Sequence, residues 1–299
     1  MRTLASLALI PALAACGGAQ APAESSAAVT ATATATEAVV ATTTTARIAD
    51  VNMHAVLWTQ RSVEYDRVAT QAFQLAMLQL EQAINDPSWT AMVEQETADA
   101  SLPPAIVLDL DETVMDNSPY QAWTISEEEN FGSESWGAWC DAAEAPAVPG
   151  ALDFLHAADA MGVTIFYISN RDVSSEEATR ENLIALGAPM HEGIDAVMLR
   201  NEYGDGSSKR SRREAAAATH RVVMMFGDNL GDFMDGYKTT PEERETLVAE
   251  HEQRWGHSWF MLPNPQYGSW EGALFGFDYG LSAEERFDAK IDALDAWVP

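Results

Sequence analysis

Four short apolar segments, separated from one another by stretches of helical periodicity, constrain the fold of this chain most strongly. They are Ala105 to Leu108, 163–169 (VTIFYIS), 196–199 (AVML) and 222–229 (VVMMFGDN). Strands that alternate with helices in this way usually form a parallel sheet that is covered by helices on both faces. We therefore predict an α/β fold with a Rossmann-like parallel sheet.

Helical patterns fill the intervals and extend to both ends of the folded region. We predict helices from about Gly150 to Met161, from a capping box of Ser174 and Glu177 to Gly187, and over 208–219. Apolar residues at helical spacing also mark an N-terminal segment that is helical to about residue 85, and Ser282 and Glu285 cap a C-terminal helix with Phe287, Ile291 and Leu294 on one face. The predicted organisation is an N-terminal helical segment, 47–96, and a core with the C-terminal helix, 97–299.

The first 46 residues have a different character. Arg2, a short apolar run and Leu13-Ala14-Ala15-Cys16 are typical of a bacterial lipoprotein signal, 1–16, in which the cysteine becomes acylated. An ordinary signal peptide with an incidental cysteine is the alternative. Residues 17–46 are rich in Ala and Thr and predict a flexible tether. Lipid on Cys16 would be the chain's attachment to a membrane, and Gly17 after it favours the outer membrane, facing the periplasm or the exterior.

The formal net charge of −29 excludes whole classes of partner. Proteins that bind nucleic-acid polymers need a basic surface, which this chain lacks. An anionic substrate would require a local positive site, such as a metal ion or a Lys/Arg cluster. We expect the partners to be small molecules, and the sequence leaves the oligomeric state open, a homodimer included.

Polar residues follow the predicted strands where their carboxyl ends meet. Asp109 and Asp111 follow the first strand, Ser169 and Asn170 end the second, and Asp228 ends the last, with Asp232 close behind; Lys209 opens a helix. In parallel sheets, ligands bind at this edge. Carboxylates crowded together repel one another unless a cation lies between them, and hard oxygen ligands without His or Cys suit Mg²⁺.

These residue types fit phosphoryl transfer. One aspartate of the Asp109/Asp111 pair can attack phosphorus while the other handles the proton of the leaving group, because alternate residues of an extended segment point the same way. Ser169 can donate to a phosphoryl oxygen, and Lys209 can neutralise charge that develops during transfer. Each of these features alone is weak evidence in so acidic a chain. Their occurrence together, in this order along the sequence, is what indicates a phosphate site.

The motifs VLDLDETVMDNSPY, ISNR, GDNLGDF and LPNPQYGSWEGAL, in this order, resemble those of the class C acid phosphatases. These bacterial outer-membrane lipoproteins, also called the lipoprotein e family, belong to the haloacid-dehalogenase-like superfamily. The resemblance runs from about residue 50 to 276. It implies a Mg²⁺-dependent hydrolase of phosphomonoesters, among them nucleoside 5′-monophosphates and nicotinamide mononucleotide.

The resemblance also assigns roles to particular residues. It makes Asp109 the nucleophile and Asp111 the general acid and base. Asp109, the Asp111 carbonyl and Asp228 would hold Mg²⁺, with Asp232 nearby. Ser169, Asn170 and Lys209 would bind phosphate.

Two aromatic residues away from the predicted strand ends bear on substrate preference. The resemblance places Trp136 and Tyr267 on either side of a nucleobase, whereas ordinary packing is the alternative for both rings. Two other functions also stay open: a broad acid phosphatase without base preference, and a lipoprotein that captures a ligand without catalysis. Arg212 and Arg213, which follow Lys209, are expected to lie on a solvated helix face.

Overall fold

The predicted parallel sheet is present and has one strand more than the sequence indicated. The computed structural model describes residues 52–95, 98–204 and 206–297. Neighbouring strands are parallel in the order β3-β2-β1-β4-β5. The strands are β1 Pro104–Leu108, β2 Thr164–Asp172, β3 Val197–Arg200, β4 Arg221–Gly227 and β5 Trp259–Met261. The fifth strand was missed because three residues are too few to show a pattern.

Helices connect the strands and cover the sheet. The helices are α1 Met53–Arg61, α2 Val63–Asn85, α3 Ser118–Ser126, α4 Ser133–Ala142, α5 Ala151–Ala160, α6 Glu176–Leu186, α7 Arg210–Ala217, α8 Leu230–Phe233, α9 Pro241–Glu250, α10 Ser269–Ala273 and α11 Ala283–Asp292. Short 3₁₀ turns occupy Val173–Ser175 and Glu252–Arg254. This confirms an α/β fold with a parallel sheet and flanking helices.

The sheet has an apolar layer on each face, because side chains along a strand alternate between the two faces. In β1, Ile106 and Leu108 enter one buried cluster, whereas Ala105 and Val107 enter the other. The N-terminal helices belong to the first layer: Phe73 of α2 stacks on Phe226 of β4 with 5.5 Å between ring centroids. These helices are therefore part of the core that supports the strands.

Two predictions about helix boundaries differ from the structure. The N-terminal segment is two helices rather than one, because Ser62 ends α1 and its side chain caps α2 by accepting from the Tyr65 N–H at 3.1 Å. The capping box at Ser174 is wrong: Ser174 lies in a 3₁₀ turn and donates to Asp172, and α6 begins only at Glu176. The Ser174 N–H and hydroxyl both donate to Asp172 Oδ1, so the main-chain N–H that the capping box would use is already bonded.

The C-terminal end of α6 and the N-terminal end of α11 agree with the sequence predictions. The α6 helix ends where Gly187 takes a left-handed conformation, and Ser282 and Glu285 form the predicted capping box of α11. The apolar face of α11 is largely exposed, since none of the residues of this helix is buried.

Several predictions concern residues that the structure does not describe. The signal peptide, the tether and Cys16 lie outside the described residues, as does the boundary proposed at 96–97. Within the described ranges, we find no helix whose length and apolar character would allow it to cross a membrane.

Candidate active site

A tight turn after β1 presents the two aspartates at the carboxyl end of the sheet. The Asp109 N–H donates to the Phe226 carbonyl of β4 at 3.0 Å, so strand pairing continues into the motif. The chain then turns on the Leu110 carbonyl, which accepts from the N–H groups of residues 113–115 at 2.8–3.2 Å. The turn holds Asp109 and Asp111 where the central strand ends.

Three carboxylates converge at this point. Oxygen atoms of Asp109, Asp228 and Asp232 lie within 4.8 Å of one another, although the three residues come from the ends of two strands and from α8. The buried Lys209 ammonium donates to Asp109 and, at 2.6 Å, to Asp232. One lysine does not balance three carboxylates, so the cluster keeps an excess of negative charge.

Burial and the neighbouring carboxylates both act on the ionisation of the cluster. Burial raises the pKa of Asp109 well above its ordinary value, although Lys209 acts in the opposite direction. Loss of hydration and the neighbouring Asp232 raise the pKa of Asp228 to about 7. A divalent cation between these oxygens would favour their ionised form and so lower both pKa values.

Close packing fixes Asp232 in the cluster. A Cβ atom at Gly227 would lie 2.2 Å from a carboxylate oxygen of Asp232, so only glycine fits before Asp228. The other constraint is a capping box, in which the Asn229 N–H donates to Asp232 at 2.9 Å at the start of α8. These two contacts give a physical reason for the sequence GDNLGD.

Asp111 has surroundings of its own. Its Oδ1 accepts from Arg171 Nε at 2.9 Å and from Asn117 Nδ2 at 3.0 Å, and its Oδ2 accepts from Ser169 Oγ at 3.1 Å. Asp109 is thus paired with Lys209, whereas Asp111 is paired with Arg171. The two aspartates of the motif have different electrostatic partners, which suits two different roles.

Comparison with known proteins identifies the family to which this arrangement belongs. Residues 14–270 match the family described as HAD superfamily, subfamily IIIB (Acid phosphatase). The chain belongs to this family of acid phosphatases. The predicted resemblance is thereby confirmed.

Solved structures support the same conclusion. Two structures of the class C acid phosphatase from Bacillus anthracis, one with tungstate bound, are 34% identical to this acid phosphatase, with TM-scores of 0.74 and 0.72. Each match covers 84% of this chain and 99% of the Bacillus chain. A curated relative, the Stem 28 kDa glycoprotein of Glycine max, is 24% identical over 167 residues, and the chain spans 58% of that relative's length.

The residues expected to bind phosphate line the same edge of the sheet. Lys209 lies against Asp109, and the buried Ser169 lies against Asp111, to which its hydroxyl donates. Asn170 is exposed; its amide donates to the Ser207 carbonyl at 3.1 Å and its oxygen accepts from Arg212. The phosphate-binding roles of these side chains remain predictions.

The carboxylate cluster fits a magnesium ion. All its donors are hard oxygens, and within the described residues this is the group of acidic, His or Cys side chains close enough to share a metal. Asp109, Asp228 and Asp232 would supply side-chain ligands. The Asp111 carboxylate lies outside this group, and the expected contribution of its carbonyl to the metal site stays a prediction.

The two aromatic residues proposed to hold a base are tied to the site from different sides. The Arg171 guanidinium lies 5.8 Å from the centroid of the Trp136 ring. The Tyr267 N–H donates to Asn264 Oδ1 at 3.4 Å, and Asn264 Nδ2 donates to Asp228 at 2.8 Å. Helix α4, which carries Trp136, and the segment around Tyr267 therefore both reach the catalytic edge, and the stacking roles of the two rings remain predictions.

The expected solvated face of the KRSRR helix is wrong for Arg212 and Arg213, both of which are fully buried. Arg212 donates to the Ser208 carbonyl at 2.6 Å, and Arg213 pairs with Glu94. These guanidinium groups satisfy main-chain carbonyls and a buried carboxylate below the site, which a charge pattern does not reveal.

Sequence reasoning also missed functional neighbours of the aspartates. Arg171 and Asn117 bind Asp111, and Asn264 binds Asp228. Arg171 stands in the ISNR motif, directly after two residues that were assigned roles, and a lone arginine at a strand end was its only signal.

Proposed function

We propose that this acid phosphatase is a Mg²⁺-dependent phosphomonoesterase that works through an aspartyl-phosphate, with nucleoside 5′-monophosphates and nicotinamide mononucleotide as preferred substrates. The observation that carries the proposal is the separation of the motif's two aspartates. Asp109 accepts a hydrogen bond from Lys209, whereas Asp111 accepts hydrogen bonds from Arg171 and Ser169. A nucleophile and a proton donor need such separate surroundings.

The reaction divides into two displacements at phosphorus. An Asp109 oxygen forms a bond to phosphorus as the ester P–O bond breaks, and the leaving oxygen takes its electron pair and a proton from Asp111. Water then attacks the phosphorus of the acyl phosphate, gives a proton to Asp111 and releases inorganic phosphate from Asp109. Lys209 holds the Asp109 side chain in place for attack and offsets charge on the phosphoryl oxygens. When bound, Mg²⁺ supplies charge stabilisation at those oxygens.

The activity is tested with the full chain in detergent. We expect hydrolysis of phosphomonoesters in the presence of Mg²⁺ and release of inorganic phosphate. A chain that binds nucleoside monophosphates without turnover would favour the ligand-capturing alternative, because that function needs binding alone.

Substrate preference depends on contacts to the part of the substrate that does not react. We expect Trp136→Ala and Tyr267→Ala to lower kcat/KM for nucleoside monophosphates roughly 5- to 100-fold, since a stacking contact contributes about 1–3 kcal/mol and only part of it acts in the transition state. Glycerol phosphate cannot stack, so its hydrolysis should change little. The measurement is the ratio of the two kcat/KM values in each variant.

Trp297→Ala is the matched control for these variants, because Trp297 is exposed and follows the C-terminal helix. An equal loss on both substrates would mean that the two rings are structural. No loss on either substrate would favour the broad acid phosphatase without nucleobase preference.

We further propose that lipid on Cys16 anchors the enzyme to a membrane, with the outer membrane as its site. The support is the sequence Leu13-Ala14-Ala15-Cys16 and the tether composition after it. Cys16→Ser should release the enzyme from washed membranes while its specific activity is retained. Membrane fractions from cells that express wild type and variant decide the question, and equal retention of both would place the attachment elsewhere.

A further inference from the structure

We propose that Arg171 is a positioning residue, which fixes the Asp111 carboxylate for proton transfer to the leaving group; the inference rests on the catalytic role proposed for Asp111. The guanidinium is 1% exposed and its Nε donates to Asp111 Oδ1 at 2.9 Å. The bond from Nε holds Asp111 Oδ1 in position, and the rigid, planar guanidinium restricts the direction from which it forms.

Arg171 is itself held by a second layer of contacts. Its Nη2 donates to Asn117 Oδ1 at 3.3 Å, and the same oxygen accepts from Trp139 Nε1 at 2.7 Å. Asn117 also donates to Asp111, so that one amide connects the arginine and the carboxylate. The Trp136 ring lies 5.8 Å from the guanidinium carbon. This frame leaves the arginine little freedom to move away from Asp111.

The frame distinguishes the two oxygens of Asp111. Oδ1 accepts two hydrogen bonds, from Arg171 and Asn117, whereas Oδ2 accepts one, from Ser169. A carboxylate oxygen can accept two hydrogen bonds, so Oδ2 retains an open position. Oδ2 is therefore the atom that exchanges the proton with the leaving group and with water.

A purely structural role explains this arginine poorly. Burial of a guanidinium is costly unless its charge is paired, and the Asp111 carboxylate supplies that pairing for Arg171. Arg221, another buried arginine, instead donates from Nη1 to the main-chain carbonyls of Ala83, Asp86 and Trp89 at 2.9–3.1 Å. The principal partner of Arg171 is therefore a carboxylate of the active site, whereas the partners of Arg221 are main-chain carbonyls.

The test compares two esters of similar shape that differ in their need for a proton. Benzyl phosphate releases a strongly basic alkoxide, which must be protonated as the P–O bond breaks, whereas p-nitrophenyl phosphate releases a stable phenolate. In Arg171→Met we expect kcat/KM for benzyl phosphate to fall about 10²-fold or more, the usual contribution of general acid catalysis. For p-nitrophenyl phosphate, kcat/KM should fall by less than about tenfold. Arg171→Lys should recover part of the loss on benzyl phosphate.

Arg221→Lys is the matched control, because it removes a buried guanidinium at the start of β4, whereas the active site lies where β4 ends. This variant should leave the ratio of the two kcat/KM values unchanged. Thermal melting shows whether each variant is folded, and Arg171→Lys serves if Arg171→Met does not fold. An equal loss on both substrates in a folded Arg171 variant would overturn the positioning role. Asp111→Asn separates the two proposals: if it leaves the ratio unchanged, the catalytic role of Asp111 is wrong, and the role of Arg171 falls with it.

Discussion

Asp109→Asn should reduce turnover of every phosphomonoester by at least about 10⁴-fold, because the change removes the charge of the attacking oxygen while the shape of the side chain is kept. The effect should be on kcat, since the phosphoryl oxygens can still approach Lys209 and Ser169. Steady-state kinetics on benzyl phosphate and p-nitrophenyl phosphate measures it. Both substrates should lose activity, because the same Asp109 oxygen attacks phosphorus in both esters.

Asp153→Asn is the control for this substitution. Asp153 is exposed on α5, and its replacement should leave turnover within about twofold, as for other surface substitutions away from a site. Melting curves of both variants should show a folded protein. Substantial activity in a folded Asp109→Asn would mean that another residue attacks phosphorus.

Removal of the metal should have an effect of similar size. We expect a chelator to abolish turnover and added Mg²⁺ to restore it, because among the described residues Lys209 pairs with only two of the three carboxylates, Asp109 and Asp232. Mg²⁺ at about 100 times its dissociation constant should also raise the melting temperature by about 5–10 °C, since a ligand that binds only the folded state contributes about 2.7 kcal/mol at that ratio. This second readout does not depend on catalysis.

Asp228→Asn shows whether the proposed cluster is the place where the metal acts. Asp228 accepts only amide donors, from Asn229 and Asn264, so an amide at this position should be tolerated by the fold. The variant should lose the Mg²⁺-dependent rise in melting temperature, and the Asp153→Asn control should keep it. Full activity in excess chelator, or an unchanged Mg²⁺ shift in Asp228→Asn, would contradict the assignment.

The sheet and the acidic cluster could be predicted because both follow from local patterns. Apolar runs bounded by helical periodicity identify parallel strands, and their carboxyl ends must meet at one edge. Asp109 and Asp228 directly follow such runs, and Lys209 begins a helix. The convergence of these residues needed no knowledge of side-chain packing.

The parts that escaped prediction depend on tertiary contacts. Burial of Arg212 and Arg213 depends on carbonyls and a carboxylate that distant segments supply, and the pairing of Arg171 with Asp111 joins residues that are far apart in the chain. The Ser174 capping box failed for a local reason, since Asp172 formed the competing turn. Charge patterns in a sequence describe composition, whereas hydrogen-bond frames appear only in the folded chain.

The most direct test of the mechanism is the location of phosphate on the enzyme during turnover. We expect acid quenching of the wild-type enzyme with p-nitrophenyl phosphate, followed by peptide mapping, to find an acid-stable but hydroxylamine-labile phosphate on Asp109. The amount should rise in Asp111→Asn, because breakdown of the acyl phosphate would lose its general base. A phosphate on any other residue, or turnover without a phosphoenzyme in Asp111→Asn, would contradict the account.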